Sequence, residues 1–231
     1  MLVSISNSKH EDALAPARRR VLADEVADSI RAAIFSGRID LGQRLIEEEL
    51  AGMLNVSRGP VREALVALTQ EGLITLERHR GASVAQLTES DLREIYSLRS
   101  QLERLAAEWA CEKATDEDLG RIREVLSEFD TLPAPQSQSA VASLDIAFHD
   151  AIFRAAHHQY LYKAWSGLKS PIFLYLIHRG ALRRNVVHSW KSDHEKLLIA
   201  LEARDAAVAA ALVGEHIDIS YRRAVHASDS K

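Results

Sequence analysis

Two arginines four residues apart, Arg58 and Arg62, and a second set of Asp145, His149, His194 and His216 carry the chemistry legible in this 231-residue chain. Side chains at i and i+4 of a helix share a face. Each guanidinium there offers a planar fork of N–H donors that matches a guanine edge or a phosphate. Val61, Leu65 and Leu68 lie opposite at helical spacing, so one side packs while the other points outward. Asp145 and His149 are also four apart, on a stretch whose apolar positions include Leu144, Phe148 and Ile152. They stack on one face toward the interior. A buried hydrogen bond would satisfy such a pair. His194 and His216 widen the reading, because they lie ten residues before Arg204 and eleven after Asp205. A tight antiparallel hairpin there brings both to one height, about 15 Å from the turn. Three imidazoles and a carboxylate suit a divalent transition metal, zinc first, with nickel or manganese as alternatives.

The first set needs a helix-turn-helix. A helix is expected over about 21–36, with Leu22, Val26, Ile30 and Ile34 as its stripe and Gly37 as its stop. Residues 38–44 read as a loop, about 46–53 as a second helix, and Asn55-Val56 as the turn. Ser57 caps the third helix, Pro60 sits harmlessly in its first turn, and Gly72 ends it. The period then changes. Residues 73–77 and 82–86 are strand-like runs around Arg78-His79-Arg80-Gly81, a hairpin with a basic tip. A hairpin directly after such a helix forms a wing. Arg80 and Gly81 at its tip suit the adjacent minor groove.

The second set needs helices only. Thr88-Glu89-Ser90-Asp91 opens one of about 89–113, with Leu92, Ile95, Leu98, Leu102, Leu105, Ala106 and Trp109 on one side. Thr115 caps the next, about 116–130, and 131–138 is a loop. Further helices are expected at about 139–156, 159–180, 186–203 and 206–226. The fold class is therefore mainly α: an N-terminal winged helix-turn-helix with a small β-hairpin, then an all-α antiparallel bundle. The expected division is a disordered tail over 1–17, a DNA-binding domain over 18–87 and a helical domain over 88–231.

Bulk properties set limits. Net charge is −4, and residues 1–86 hold 11 Lys and Arg against 12 Asp and Glu, a net of −1. Nucleic acid must then be met by a local patch rather than a generally basic domain. No apolar run is long enough to span a membrane, and residues 1–20 lack the apolar stretch of a signal peptide. Cys111 is the single cysteine, which excludes an internal disulfide and points to a reducing cytoplasm.

Residues 21–87 closely resemble the DNA-binding domain of the GntR family of bacterial transcription regulators. The likeness rests on Ile34-Phe35-Ser36-Gly37-Arg38, on 45–51 and on the run Val56-Ser57-Arg58-Gly59-Pro60-Val61-Arg62-Glu63-Ala64-Leu65. It continues through Glu71-Gly72-Leu73 and Arg80-Gly81-Ala82. Two departures, Leu41 for a proline and Asn55 for a glycine, leave the groove-facing positions untouched; asparagine tolerates a left-handed turn. The resemblance implies operator contacts by Ser57, Arg58, Gly59 and Arg62, with Arg80 and Gly81 in the wing. Residues of about 90–226 resemble the FCD effector domain of the FadR subgroup, through 96–103, 144–149, 193–201 and Gly214-Glu215-His216. His157-His158-Gln159 replaces the usual Gly-Asn-Pro. In metal-binding members the aspartate and three histidines hold the ion, so Asp145, His149, His194 and His216 would do so here. The resemblance turns Arg99 toward a carboxylate effector, with an ion pair to Glu103 one turn along as the alternative. His178, His188 and His226 read as surface or packing residues.

The expectation is a homodimeric repressor, not an enzyme, released from double-stranded operator DNA by a small organic acid bound at the metal. A metal-dependent hydrolase is the competing class, since three histidines and a carboxylate can activate water. It would leave the winged helix unexplained. A purely structural metal is a third reading.

Overall fold

The computed structural model describes residues 18–77, 81–133, 137–178 and 184–226. The expected tail over 1–17 and the wing tip with Arg80 lie outside them. The N-terminal part runs α1 (Arg18–Phe35), β1 (Arg44–Leu45), α2 (Glu47–Leu54), α3 (Arg58–Gln70), β2 (Ile74–Glu77) and β3 (Gly81–Val84). The strands form one antiparallel sheet in the order β1-β3-β2, with Leu45 opposite Ala82 and Ile74 opposite Val84. Leu45, Ile74, Ala82 and Val84 face a core shared with Val26, Ile30 and Ile34 of α1 and Val61, Leu65 and Leu68 of α3.

Three details of this part differ from the sequence expectation. Leu22 is 37% exposed, and Ala23 takes its place in the α1 stripe. A row of i+4 positions turns about 40° per step around an α-helix, so three steps back from Ile34 have left the core. β1 lies in the segment read as loop; two residues are too short to show a period. Ser57 occupies the N-cap position of α3 with extended backbone, but its side chain makes no capping hydrogen bond. Asn55 does adopt the left-handed conformation, φ 53°, between α2 and α3.

The remainder is helical: α4 (Glu89–Lys113), α5 (Asp116–Thr131), α6 (Gln138–Ala155), α7 (Gln159–Ser166), α8 (Lys169–His178), α9 (Arg184–Glu202) and α10 (Ala206–His226). Thr88 with Asp91, and Thr115 with Asp118, form reciprocal capping boxes that start α4 and α5. α4 packs along α10, α5 against α6 and α9, and α6 against α4 and α8. The face that α4 buries is Leu92, Tyr96, Arg99, Glu103, Ala106 and Ala110, whereas Leu98 and Leu105 are exposed. An apolar tally misplaced that face because two ionic side chains occupy its centre. The helix expected over 159–180 is two. Gly167 caps α7, and Pro171, with no amide to donate, falls in the first turn of α8 where none is needed.

α8 links the two cores. Ile172, Phe173, Tyr175 and Leu176 belong to the helical bundle, while Leu174 is buried among the side chains of the winged helix. The Phe35 and Phe173 rings meet with centroids 3.9 Å apart. Gly72, at φ +74°, lies so close to α8 that a β-carbon there would stand 2.9 Å from Pro171 Cγ. No helix among the described residues is long and apolar enough to cross a membrane.

Candidate nucleic-acid interface and buried histidine–carboxylate site

The outward face of α3 lines a cleft of about 530 Å³ together with the sheet. Arg58 and Arg62 enter from α3, Arg44 from β1, Glu47 from α2 and Gly81 from β3. Gly81 opens β3 at φ +83°, and a β-carbon there would stand 3.9 Å from an Arg44 terminal nitrogen. Ser57 is exposed and Gly59 half-buried at the start of α3. Of the residues assigned to DNA, Arg58, Arg62 and Gly81 line this one cleft.

The arginines are not bare. Arg62 donates from Nε to Glu47 Oε1 at 3.0 Å and from Nη2 to Glu47 Oε2 at 2.8 Å. Arg58 Nη2 lies 3.6 Å from Glu47 Oε2. Hydrogen bonding to Arg62 chiefly, with the charges of both arginines, lowers the Glu47 pKa. Glu71, nearer to Arg62 along the chain than Glu47 is, accepts instead from Arg31. Glu47 and Arg44 are the functional candidates that sequence reasoning missed. Each reaches the cleft from a different element, which no local spacing reports.

In the bundle, Asp145, His149, His194 and His216 each present a ligand atom, all within 4.8 Å of one another. The register argued for the α9–α10 hairpin holds, with the His194 and His216 rings 4.5 Å apart between centroids and Arg204 at the turn in the left-handed conformation. His194 Nδ1 lies 2.7 Å from the Trp190 carbonyl oxygen, so that nitrogen carries the proton and Nε2 keeps its lone pair. His149 Nδ1 lies 2.5 Å from Glu103 Oε2, an ionic contact without hydrogen-bond geometry. The Nε2 atoms of both rings are buried with no hydrogen-bond partner. Asp145 Oδ1 stands 3.8 Å from His149 Nε2 and 3.5 Å from His194 Nε2, and accepts from Trp190 Nε1 at 2.7 Å.

Burial would raise the Asp145 pKa, but contact with His194 and the positive fields of His149 and Arg99 hold it well below the usual carboxylate range. Burial lowers the His194 pKa, and lowers that of His216 further, the neighbouring imidazoles adding to the effect. His194 and His216, kept neutral by burial, and an ionised Asp145 are donors of the kind a divalent cation requires. Buried imidazole nitrogens without partners are otherwise costly. The residues fit a metal.

Arg99 is fully enclosed. It donates from Nε to Glu103 Oε1 at 2.5 Å, and its Nη2 lies 3.6 Å from Asp145 Oδ2. Neither terminal nitrogen has a hydrogen-bond partner, nor does the neighbouring Tyr96 hydroxyl. The Glu103 ion pair weighed from sequence is therefore present, and with Asp145 in ionic contact both terminal nitrogens still make no hydrogen bond. His158 caps α7, its Nδ1 accepting from the Leu161 amide. The side chains of His178, His188 and His226 lie outside the described residues.

A winged helix ahead of an all-helical bundle is the build of a DNA-binding transcription regulator. Comparison with known proteins agrees. Residues 22–84 match the model of bacterial regulatory proteins of the gntR family, and residues 94–219 match the FCD domain. The chain is similar to the gluconate operon transcriptional repressor of Bacillus licheniformis, at 32% identity over 78% of this chain and 75% of that protein. It is also similar to the Uxu operon transcriptional regulator of Escherichia coli, at 30% identity over 84% of this chain and 83% of that one. The solved structure of E. coli McbR/YncC shares the fold with a TM-score of 0.73 at 24% identity, covering 87% of this chain and 97% of its own. A putative GntR regulator from Rhodococcus sp. RHA1 does so at 0.75 and 24%, over 88% and 97%. The chain belongs to the GntR family and carries an FCD domain. It is a transcription regulator, and the hydrolase reading is set aside.

Proposed function

We propose that the chain is a cytoplasmic, homodimeric repressor of the FadR subgroup whose hold on operator DNA is released by a small organic acid. Residues 18–87 read DNA through Ser57, Arg58, Gly59 and Arg62, with Arg80 and Gly81 of the wing. Residues 88–231 bind the effector and dimerise, which places two winged helices on half-sites about one DNA turn apart. Asp145, His149, His194 and His216 hold a divalent transition metal, zinc first. Bound there, the ion offers a Lewis-acidic point for a ligand oxygen. The observation that carries the effector reading is Arg99, a fully buried guanidinium with two unpartnered terminal nitrogens beside the four ligands. Such a fork accepts a carboxylate on two parallel N–H bonds, and the Tyr96 hydroxyl is the adjacent donor for a neighbouring oxygen. The relative that represses the gluconate operon is named for a carboxylate sugar, which favours this class.

A thermal-shift screen of metal-loaded protein against sugar acids, hydroxy acids, dicarboxylates and fatty acyl compounds tests the reading. A true effector at a hundredfold excess over its Kd stabilises by about 2.7 kcal/mol and lowers operator affinity in the same preparation. Unchanged operator affinity across the panel would leave a structural metal in a regulator that senses nothing at this site.

A further inference from the structure

We infer that Glu47 is a positioning residue for operator recognition: it presents the Arg62 guanidinium edge-on to the groove and withholds Arg58 and Arg62 from phosphates of non-cognate DNA. The inference rests on α3 being the element that enters the groove. Glu47 is the first residue of α2, yet its two oxygens take the Nε and Nη2 donors of Arg62, and one of them lies 3.6 Å from Arg58. A guanidinium has five N–H donors. Two are committed here, both on the Nε–Nη2 side. The Nη1–Nη2 edge keeps a parallel pair of N–H bonds, the arrangement that meets O6 and N7 of guanine. Arg62 therefore reads a guanine without releasing Glu47, and a carboxylate from another helix fixes the plane of its fork.

The second consequence is electrostatic. The three side chains sum to one positive charge rather than two, at the centre of a face that must discriminate. Affinity for any duplex grows with each phosphate neutralised, whereas discrimination comes from oriented donors. A carboxylate placed between two recognition arginines lowers the first and sharpens the second. The near-neutral balance of residues 1–86 fits the same economy of positive charge.

Full-length wild-type protein selects a duplex from a random-sequence pool, and anisotropy then measures affinity for that duplex and for a scrambled one across salt concentrations. Glu47→Gln is expected to bind the scrambled duplex more tightly, with a salt dependence steeper by about one phosphate contact. The ratio of selected to scrambled affinity falls by about tenfold. Glu49→Gln removes an equal charge from the same helical turn and keeps the wild-type ratio. In an Arg62→Lys background, which has no fork to orient, Glu47→Gln alters the ratio by less than about twofold. An unchanged ratio in the Glu47→Gln protein overturns the inference. A parallel loss of both affinities with a lowered Tm does so too, since a purely structural carboxylate behaves that way. A wild-type protein that enriches no sequence overturns the DNA-binding reading itself, and this inference with it.

Discussion

Replacing Arg99 with methionine tests the buried site most severely. The guanidinium is fully enclosed between Glu103, whose Oε1 accepts from its Nε at 2.5 Å, and Asp145, whose Oδ2 is 3.6 Å from its Nη2. Removing it leaves two buried carboxylates facing one another's field without their shared cation. Breaking a buried pair by deleting one partner costs about 3–5 kcal/mol, and two stranded anions place this case toward the upper end. For a chain of this size that corresponds to a fall in Tm of roughly 6–20 °C. Adding Glu103→Gln removes one of the stranded charges while keeping a carbonyl for His149 Nδ1, so the double variant regains at least about half of the loss. Urea unfolding of metal-loaded wild type, single and double variants measures these steps. Operator binding with and without the identified acid is measured on the same samples. The double variant is expected to fold, hold metal and bind DNA, yet ignore the acid. A single-variant cost under about 1 kcal/mol, the scale of an exposed pair, would refute the electrostatic reasoning. An acid response preserved in the double variant would refute the assignment of Arg99.

Arg62→Ala is expected to lower affinity for the selected duplex by roughly 10- to 100-fold with an unchanged Tm, as read by anisotropy and calorimetry. Arg44→Gln should weaken all sequences alike and reduce the salt slope by about one, because Arg44 meets the cleft beside Gly81 rather than from α3. His194→Ala should abolish metal uptake, which elemental analysis of chelator-free preparations reads as a drop from about one ion per chain to background. Gly72→Ala should destabilise by at least about 1–2 kcal/mol for its left-handed backbone alone. The new β-carbon also meets Pro171, so solution scattering should show the winged helix displaced from the bundle.

What was legible in the sequence was whatever local chemistry dictates. The limits of α4 follow from Thr88 and Asp91 at one end and a change of pattern after Lys113 at the other. The height of His194 against His216 follows from counting along two helices joined by a tight turn. The left-handed turn at Asn55 follows from the one common non-glycine residue that accepts it readily. Periodicity failed where the buried face is ionic. Arg99 and Glu103 occupy the centre of the α4 face, so Leu98 and Leu105 looked like core and are not. It also failed where contact is remote, since the Glu47–Arg62 pair spans a turn and two helices. The break between α7 and α8 was written in Gly167 and Pro171.

α6 and α8 give the two proposed sites a physical connection. Asp145 contributes its carboxylate to the ligand cluster, and the next residue along α6, Ile146, lines a cavity of about 440 Å³ between α1 and α8. The touching rings of Phe35 and Phe173 line that cavity together with Arg31 and Lys169. Arg31 is anchored to Glu71 at the end of α3, and Lys169 to Asp150 on α6. Close-packed interiors move between discrete arrangements rather than deforming smoothly. Were a ligand at Asp145 to shift α6, Ile146 would move with it in the wall of the cavity that Phe35 and Phe173 also line. Leu174, one residue beyond Phe173, lies inside the winged-helix core and cannot stay in place if α8 turns. If a ligand favoured one arrangement of α6 and α8 it would bias the placement of α3, and by linkage operator DNA would bias the affinity for that ligand by the same factor.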